Sequence, residues 1–308
     1  MPQVPKRLAK LYRHWPKHVG ISKDIKRGNA QNINKEVLVK MRYLIAERMR
    51  IWEAKELGKK PPYSSDPILN KFRFCNVYRE LDRQTIVIHQ SCNHLRSNFP
   101  LWLLNIAFSR FVCRTATLEK VGELSFSISA NKIIENKLRG LTSPKYGNAY
   151  VFPVSILKTI GSSDREDFFC NYLPEFIPMV AKLIETFDDN SVSMVLPQVV
   201  KAFGANFNFH WTEILIDVAY QYPQYINLYK RFPIGPGSKP TMDSLCQGIE
   251  AEEVCLSLVN LVCETENLLT LDGQPILLSA ENWEGVGCEY RKYQNLISGT
   301  GRRRYYNK

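Results

Sequence analysis

Apolar residues recur at Val37, Met41, Ile45, Met49 and Trp52, a spacing close to the 3.6-residue turn of an α-helix with one buried face. The same period marks Leu104, Phe108, Phe111 and Val112 within 101–113. It returns at Phe207, Trp211, Leu215, Val218 and Tyr222, and residues 251–266 carry it once more. A chain patterned this way packs helices on helices, so the expected class is all-α (mainly helical). Residues 122–160, rich in Ser, Asn, Gly and β-branched side chains, are expected to form a small β or irregular insertion. With 308 residues, 44% hydrophobic and 11% aromatic, the chain can close at least one large core, which excludes a disordered polypeptide. The sequence shows no internal repeat.

The first helix begins after Asn34 and stops at Gly58-Lys59-Lys60-Pro61-Pro62; the breaker continues to Pro67 and reads as a linker. The expected layout is a basic N-terminal extension with one amphipathic helix and linker (1–66), a helical domain (67–298) and a basic C-terminal tail (299–308). Even the apolar stretch 99–108 is interrupted by Pro100 and Asn105, short of the roughly 18 residues of a membrane span. The first turns are basic and lack the apolar core of a secretory signal. A cytoplasmic protein without membrane contact is the expectation.

The net charge of +11 is unevenly placed. Residues 1–60 contain 16 Lys and Arg against 5 Asp and Glu, whereas residues 61–308 hold 25 of each sign. Arg302, Arg303, Arg304 and Lys308 form a second cluster. Cationic ends on a neutral body read either as solvated tails or as a grip on a polyanion. Tyr12, Trp15, Tyr43, Tyr305 and Tyr306 among the cations favour nucleic acid, because aromatic faces stack on bases.

The eight cysteines contain no C-x-x-C pair, as in a reduced cytosolic protein, and among the five histidines only His94 lies near a cysteine, Cys92. No metal site and no cofactor are expected. Neither the P-loop pattern G-x-x-x-x-G-K-[ST] nor a strand-following G-x-G-x-x-G occurs, which excludes P-loop hydrolysis and dinucleotide binding by this chain.

Residues 194–202 read as a helix, Phe203-Gly204-Ala205-Asn206 as a tight hairpin and 207–220 as the next helix. A helix-hairpin-helix leaves amides at the second helix's start for a DNA phosphate, with Lys201 placed to assist. Asn206 stands where that motif usually has a second glycine, and Asn tolerates left-handed backbone. Lys201, Gly204 and Asn206, with Arg302, Arg303 and Arg304, are the candidate DNA-binding residues. An ordinary αα-hairpin in a core is the competing reading.

The run Phe72-x-Phe74-Cys75-Asn76-Val77-Tyr78-Arg79-Glu80-Leu81-Asp82-Arg83 resembles the F-x-x-N-V-Y-R-x-x-D-R signature of the phage alpha-glutamyl/putrescinyl thymine pyrophosphorylases. These amino acid:DNA transferases are related to the helical domain of 5-hydroxymethyluracil DNA kinases. Gly147-Asn148-Ala149-Tyr150, Ile216-Asp217, Gly235-Pro236-Gly237 and Cys288-Glu289-Tyr290-x-Lys292-Tyr293 follow in the family's order, so the resemblance spans about residues 70–293. It implies a DNA-glycosylase-like helical fold, in keeping with the hairpin. It also implies the cytoplasm of the host, if the chain is phage-encoded.

The implied reaction transfers an amino acid, or a similar nucleophile, onto pyrophosphorylated 5-hydroxymethyluracil in double-stranded DNA, with release of pyrophosphate. A multiply charged leaving group needs fixed cations. Arg79 and Arg83, four apart and on one face if this stretch is helical, suit it because guanidinium forks bind phosphate bidentately. Asp82 would orient an arginine or take the amine proton. Asp217, a carboxylate inside the apolar run ILIDVAY, needs a partner or a task. The expected catalytic set is Arg79, Asp82, Arg83 and Asp217; the expected substrate-binding set is Asn76, Tyr78, Asn148, Tyr150, Gly235, Gly237, Glu289 and Lys292. Against these stand structural readings: an ion-pair network for the arginines and Asp82, and a salt bridge for Glu289 with Lys292.

One departure bears on mechanism: residues 225–233, YINLYKRFP, carry no Asp or Glu where glycosylase-like relatives place an acidic residue. Base excision is disfavoured and the general base is unassigned. The alternative function is a non-catalytic helical DNA-binding partner of a 5-hydroxymethyluracil DNA kinase.

Overall fold

The computed structural model describes residues 2–18, 30, 32–149, 151–259, 268–301 and 304–305. The principal helices are α1 (Lys35–Glu56), α2 (Arg83–Ser91), α3 (Phe99–Val112), α4 (Ile128–Gly140), α5 (Leu173–Thr186), α6 (Val192–Phe203), α7 (Asn208–Gln221), α8 (Lys239–Leu245), α9 (Ala251–Val259) and α10 (Ala280–Ile297). The all-α expectation holds. No helix among the described residues is long and apolar enough to cross a membrane. The chain divides into two compact units, Met1–Asp82 with Leu228–Lys308, and Arg83–Asn227. These divisions differ from the linear partition at 66/67 and 298/299.

In the first unit, α1 starts because the Asn34 side chain accepts the Glu36 and Val37 amides. Its buried stripe runs through Leu38, Met41, Leu44, Ile45, Met49 and Trp52 and includes one cation, Arg48. Helix α10, opened by a reciprocal Ser279–Asn282 capping box, packs on α1, α8 and α9. The N-terminal residues do not behave as a solvated extension: Leu8, Tyr12 and Trp15 are buried, and Val4 and Thr270 join through their backbones. Their aromatic side chains supply apolar area that outweighs the cost of ordering a cationic segment.

The β structure of the described residues lies in this unit, not in 122–160. Thr270–Leu271 pairs antiparallel with Gln274–Pro275 across Asp272 and Gly273, at φ 50° and 79°. A two-residue turn with both φ values positive is the conformation that Asp-Gly adopts most readily.

The second unit is built around α3, which is buried on nearly every side, including Trp102, Leu103, Leu104, Ile106, Phe108 and Phe111. Pro100 does not interrupt it, because it sits in the first turn, where its missing N–H would have no partner. Helices α5 and α7 pack on α3. The expected insertion at 122–160 instead contains α4, capped by Ser127 and burying Asn131, Ile134, Glu135 and Leu138 at helical spacing; the irregular part follows it. The helix expected over 251–266 is present to Val259, and 260–267 fall outside the described residues.

Candidate functional site

The signature segment is extended at Phe72, bends at Val77 and Tyr78, turns once as a 3₁₀ helix over Arg79–Leu81, and is extended again at Asp82 (φ −71°, ψ 130°) before α2 starts at Arg83. Arg79 and Arg83 therefore do not share a helical face, and the boundary between the units falls between Asp82 and Arg83. The helical premise fails because the backbone of Asp82 is not helical. Arg79 is half-buried and Arg83 exposed.

Three charged side chains from two helices clamp the extended part. Arg48 of α1, itself buried, donates to the Phe74 and Cys75 carbonyls at 3.1 and 3.3 Å. Glu289 of α10 accepts the Cys75 amide at 3.1 Å, and Lys292, one turn on, donates to the Arg73 carbonyl at 2.5 Å. Lys292 also pairs with Glu289 at 3.1 Å and lies 4.4 Å above the Phe74 ring centroid. Glu289 and Lys292 thus form their expected ion pair and also hold the signature backbone. Arg48, Cys75, Asn76, Gly285, Val286 and Glu289 line a small cleft here.

Asn76 donates to Asp82 at 2.8 Å, which orients that carboxylate toward the segment's own loop. Tyr78 is fully buried and donates to the Ile276 carbonyl at 2.6 Å, so its hydroxyl holds backbone. Glu80, absent from the expected set, is the buried anchor of the 3₁₀ turn. One of its carboxylate oxygens meets His14 at 2.7 Å and Trp15 Nε1 at 3.1 Å, and its carbonyl accepts Tyr12 Oη at 2.8 Å.

The Gly235-Pro236-Gly237 turn lies against the same helix α10. The Gly235 amide donates to Glu284 at 3.2 Å, and Arg291 donates to the Pro236 carbonyl at 2.8 Å. A Cβ on Gly237 would stand 2.7 Å from Cys288 Sγ, so the glycine is required by close approach. Burial, then the nearby Glu284 and Glu289 carboxylates, push the Cys288 thiol up to about 11, which keeps it protonated at neutral pH.

Apart from Arg304, which is exposed in the first unit, the remaining expected residues lie in the second unit or outside the described residues. Asp217 is wholly buried, with one oxygen taken by Arg110 Nε at 2.5 Å and the other by Arg110 Nη2 at 2.5 Å and His89 at 3.0 Å. Burial alone would raise its pKa; the Arg110 charge and hydrogen bonds, with those of His89, outweigh this and hold the carboxyl well below the usual range. That geometry is a saturated internal ion pair. Asn148 is exposed beside Gly147, whose amide donates to the Val112 carbonyl and where a Cβ would strike the Cys113 carbonyl at 2.0 Å. In the α6–α7 hairpin Gly204 has φ 79°; Lys201, Gly204 and Asn206 are exposed, while Phe203 and Phe207 are buried in an aromatic cluster with Phe111, Phe152 and Phe168. No side chain caps α7. Tyr150, Arg302 and Arg303 fall outside the described residues.

Two participants in the clamp carried a signal that composition hides. Arg48 occupies a position of the apolar stripe of α1, where a cation must have a buried acceptor. Glu80 is a carboxylate between Tyr78 and Leu81, both buried.

Among family models, the one described as 5-hmdU DNA kinase, helical domain, matches residues 35–298. It therefore includes helix α1, upstream of the span over which the motifs were read. No curated protein and no solved structure matches the chain.

Proposed function

Since this chain belongs to the 5-hmdU DNA kinase helical-domain family, we propose that it acts in DNA base modification, on duplex DNA carrying 5-hydroxymethyluracil or its phosphorylated derivatives. The observation that carries this reading is the convergence of distant motifs on α10: the signature segment through Cys75 and Glu289, and the glycine turn through Gly235 and Glu284. Residues so far apart in the chain, joined by hydrogen bonds to charged side chains, make a preorganised surface rather than a generic core.

The finer reading is amino acid transfer. The C–O bond from the base methylene to pyrophosphate breaks, a C–N bond to an amine forms, and the amine's proton passes to a base, for which Asp82 is the nearest candidate on the signature segment. Exposed or half-exposed cations on that segment and beside it, Arg73, Arg79 and Lys292, would receive the leaving charge. Phosphorylation would come from a kinase domain, since these 308 residues hold no P-loop. A second reading, a DNA-binding partner that presents the modified base to that kinase, is favoured by the internal saturation of Asp217 and the small size of the cleft.

Incubation of the protein with amino acids and a duplex containing pyrophosphorylated hydroxymethyluracil, followed by nucleoside mass spectrometry, separates the readings. A thymine whose methylene carries the amino acid through a C–N bond, formed with loss of pyrophosphate and abolished by Arg79→Ala in a folded protein, supports transfer. Preferential binding of the modified duplex without product supports presentation. Equal binding of modified and unmodified DNA with no product overturns both.

A further inference from the structure

The C-terminal tail pairs with the signature segment. Phe72 and Tyr305 form an antiparallel bridge, and the Arg73 amide donates to the Arg304 carbonyl at 2.8 Å. In this register Arg73 lies directly opposite Arg304. Opposite residues of an antiparallel pair project to the same face, and successive pairs alternate. The Phe72 and Tyr305 rings meet at 5.1 Å on one face, with the Lys71 ammonium 5.5 and 5.9 Å from their centroids. The next pair, Arg73 and Arg304, is turned to the other face, and both residues are exposed.

Like charges directly opposite one another destabilise a strand pair. Among the described residues neither guanidinium meets a carboxylate, and the adjacent Glu289 carboxylate is already paired with Lys292. The backbone thus holds two cations together with no internal anion between them. An external anion would remove that repulsion. Two guanidiniums can share one such anion, each taking one of the two charged non-bridging oxygens of a phosphodiester, and a DNA partner offers that group at every nucleotide.

We propose that Arg73 and Arg304 jointly bind one phosphate of the DNA backbone. This rests on the reading above that the partner is DNA, and it joins the basic tail to the signature segment as one surface. The two side chains lie at the start of the signature and at the end of the chain, so the tail is part of the site rather than a detached counter-charge.

The test is fluorescence anisotropy of a labelled, unmodified duplex over a potassium chloride series, with wild type, Arg73→Ala, Arg304→Ala and the double variant. One shared phosphate predicts that the slope of log K against log salt becomes shallower by about 0.9 in the double variant, whereas each single variant keeps nearly the wild-type slope and loses affinity at fixed salt, because the remaining guanidinium still neutralises that phosphate. Arg73→Lys should fall between wild type and Arg73→Ala, because lysine keeps the charge and loses the fork. A double-variant change near 1.8, split evenly between the singles, means two separate phosphates and overturns the shared site. An unchanged slope in the double variant overturns the site altogether while leaving the DNA reading intact. A wild-type chain that binds no duplex overturns that reading, and this proposal with it. Both side chains are exposed, so melting temperatures should match wild type and serve as the folding control.

Discussion

Asp217 and Arg110 meet through two hydrogen bonds of 2.5 Å each, one to either carboxylate oxygen, and Asp217 has no exposure to solvent. Removing one member leaves the other charge buried alone. Asp217→Ala should cost about 3–5 kcal/mol in urea unfolding at neutral pH. Because the folded carboxyl lies below its ordinary value of 3.8, its contribution is present above about pH 4 and is lost as pH falls toward the folded value. Asp217→Asn should therefore be less stable at pH 7 and flatten the acid limb of the stability curve. A variant of wild-type stability that lacks only activity would restore the catalytic assignment.

Glu289→Ala removes the acceptor of the Cys75 amide and the partner of Lys292 together. Amide exchange at Cys75 should accelerate, with a stability loss of about 1 kcal/mol. Glu289→Gln keeps an acceptor and should show slower exchange than the alanine variant. Equal exchange rates in all three proteins would show that α10 does not hold the signature segment.

Gly237→Ala places a methyl group against Cys288 Sγ and should cost about 1–3 kcal/mol through overpacking. Adding Cys288→Ala removes the obstructing sulfur and should recover part of that loss, measured as a double-mutant cycle by thermal unfolding. Strict additivity would mean that the glycine serves something other than close approach.

Trp15→Ala empties a fully buried site and removes a donor to Glu80, so it should cost about 3–5 kcal/mol. Deleting residues 1–60, which would isolate a basic tail if that segment were solvated, should instead unfold the first unit, since α1 and Trp15 lie in its core. Circular dichroism of the truncated chain decides between these outcomes. The contribution of N-terminal charge to DNA binding is therefore better tested by neutralising exposed lysines such as Lys10.

The helices were legible because an apolar period of 3.6 is a local property: 37–52, 101–113 and 207–222 each mark a helix, and Gly204 marks the hairpin by needing positive φ. Misreadings came where local signals compete. The polar composition of 122–160 masks the stripe Ile134–Leu138 that makes α4, and the short hairpin turns at Asp272-Gly273, outside that region. The ends of the chain were read by charge, although Tyr12 and Trp15 were already the side chains able to bury them.

By itself the amino-acid sequence determined the all-α class, most helix positions and, through ordered motifs, the relation to the helical domain of 5-hmdU DNA kinases. Those depend on neighbouring residues and on residue identity. It did not determine which charges act on ligand and which on one another. Asp217 finds Arg110 from 107 positions away, and Cys75 finds Glu289 across 214. Only the packed tertiary structure sets such distances. At hydrogen-bond range and out of water, a charge that looks free in sequence becomes an internal partner, while Arg73 and Arg304 are left facing solvent together.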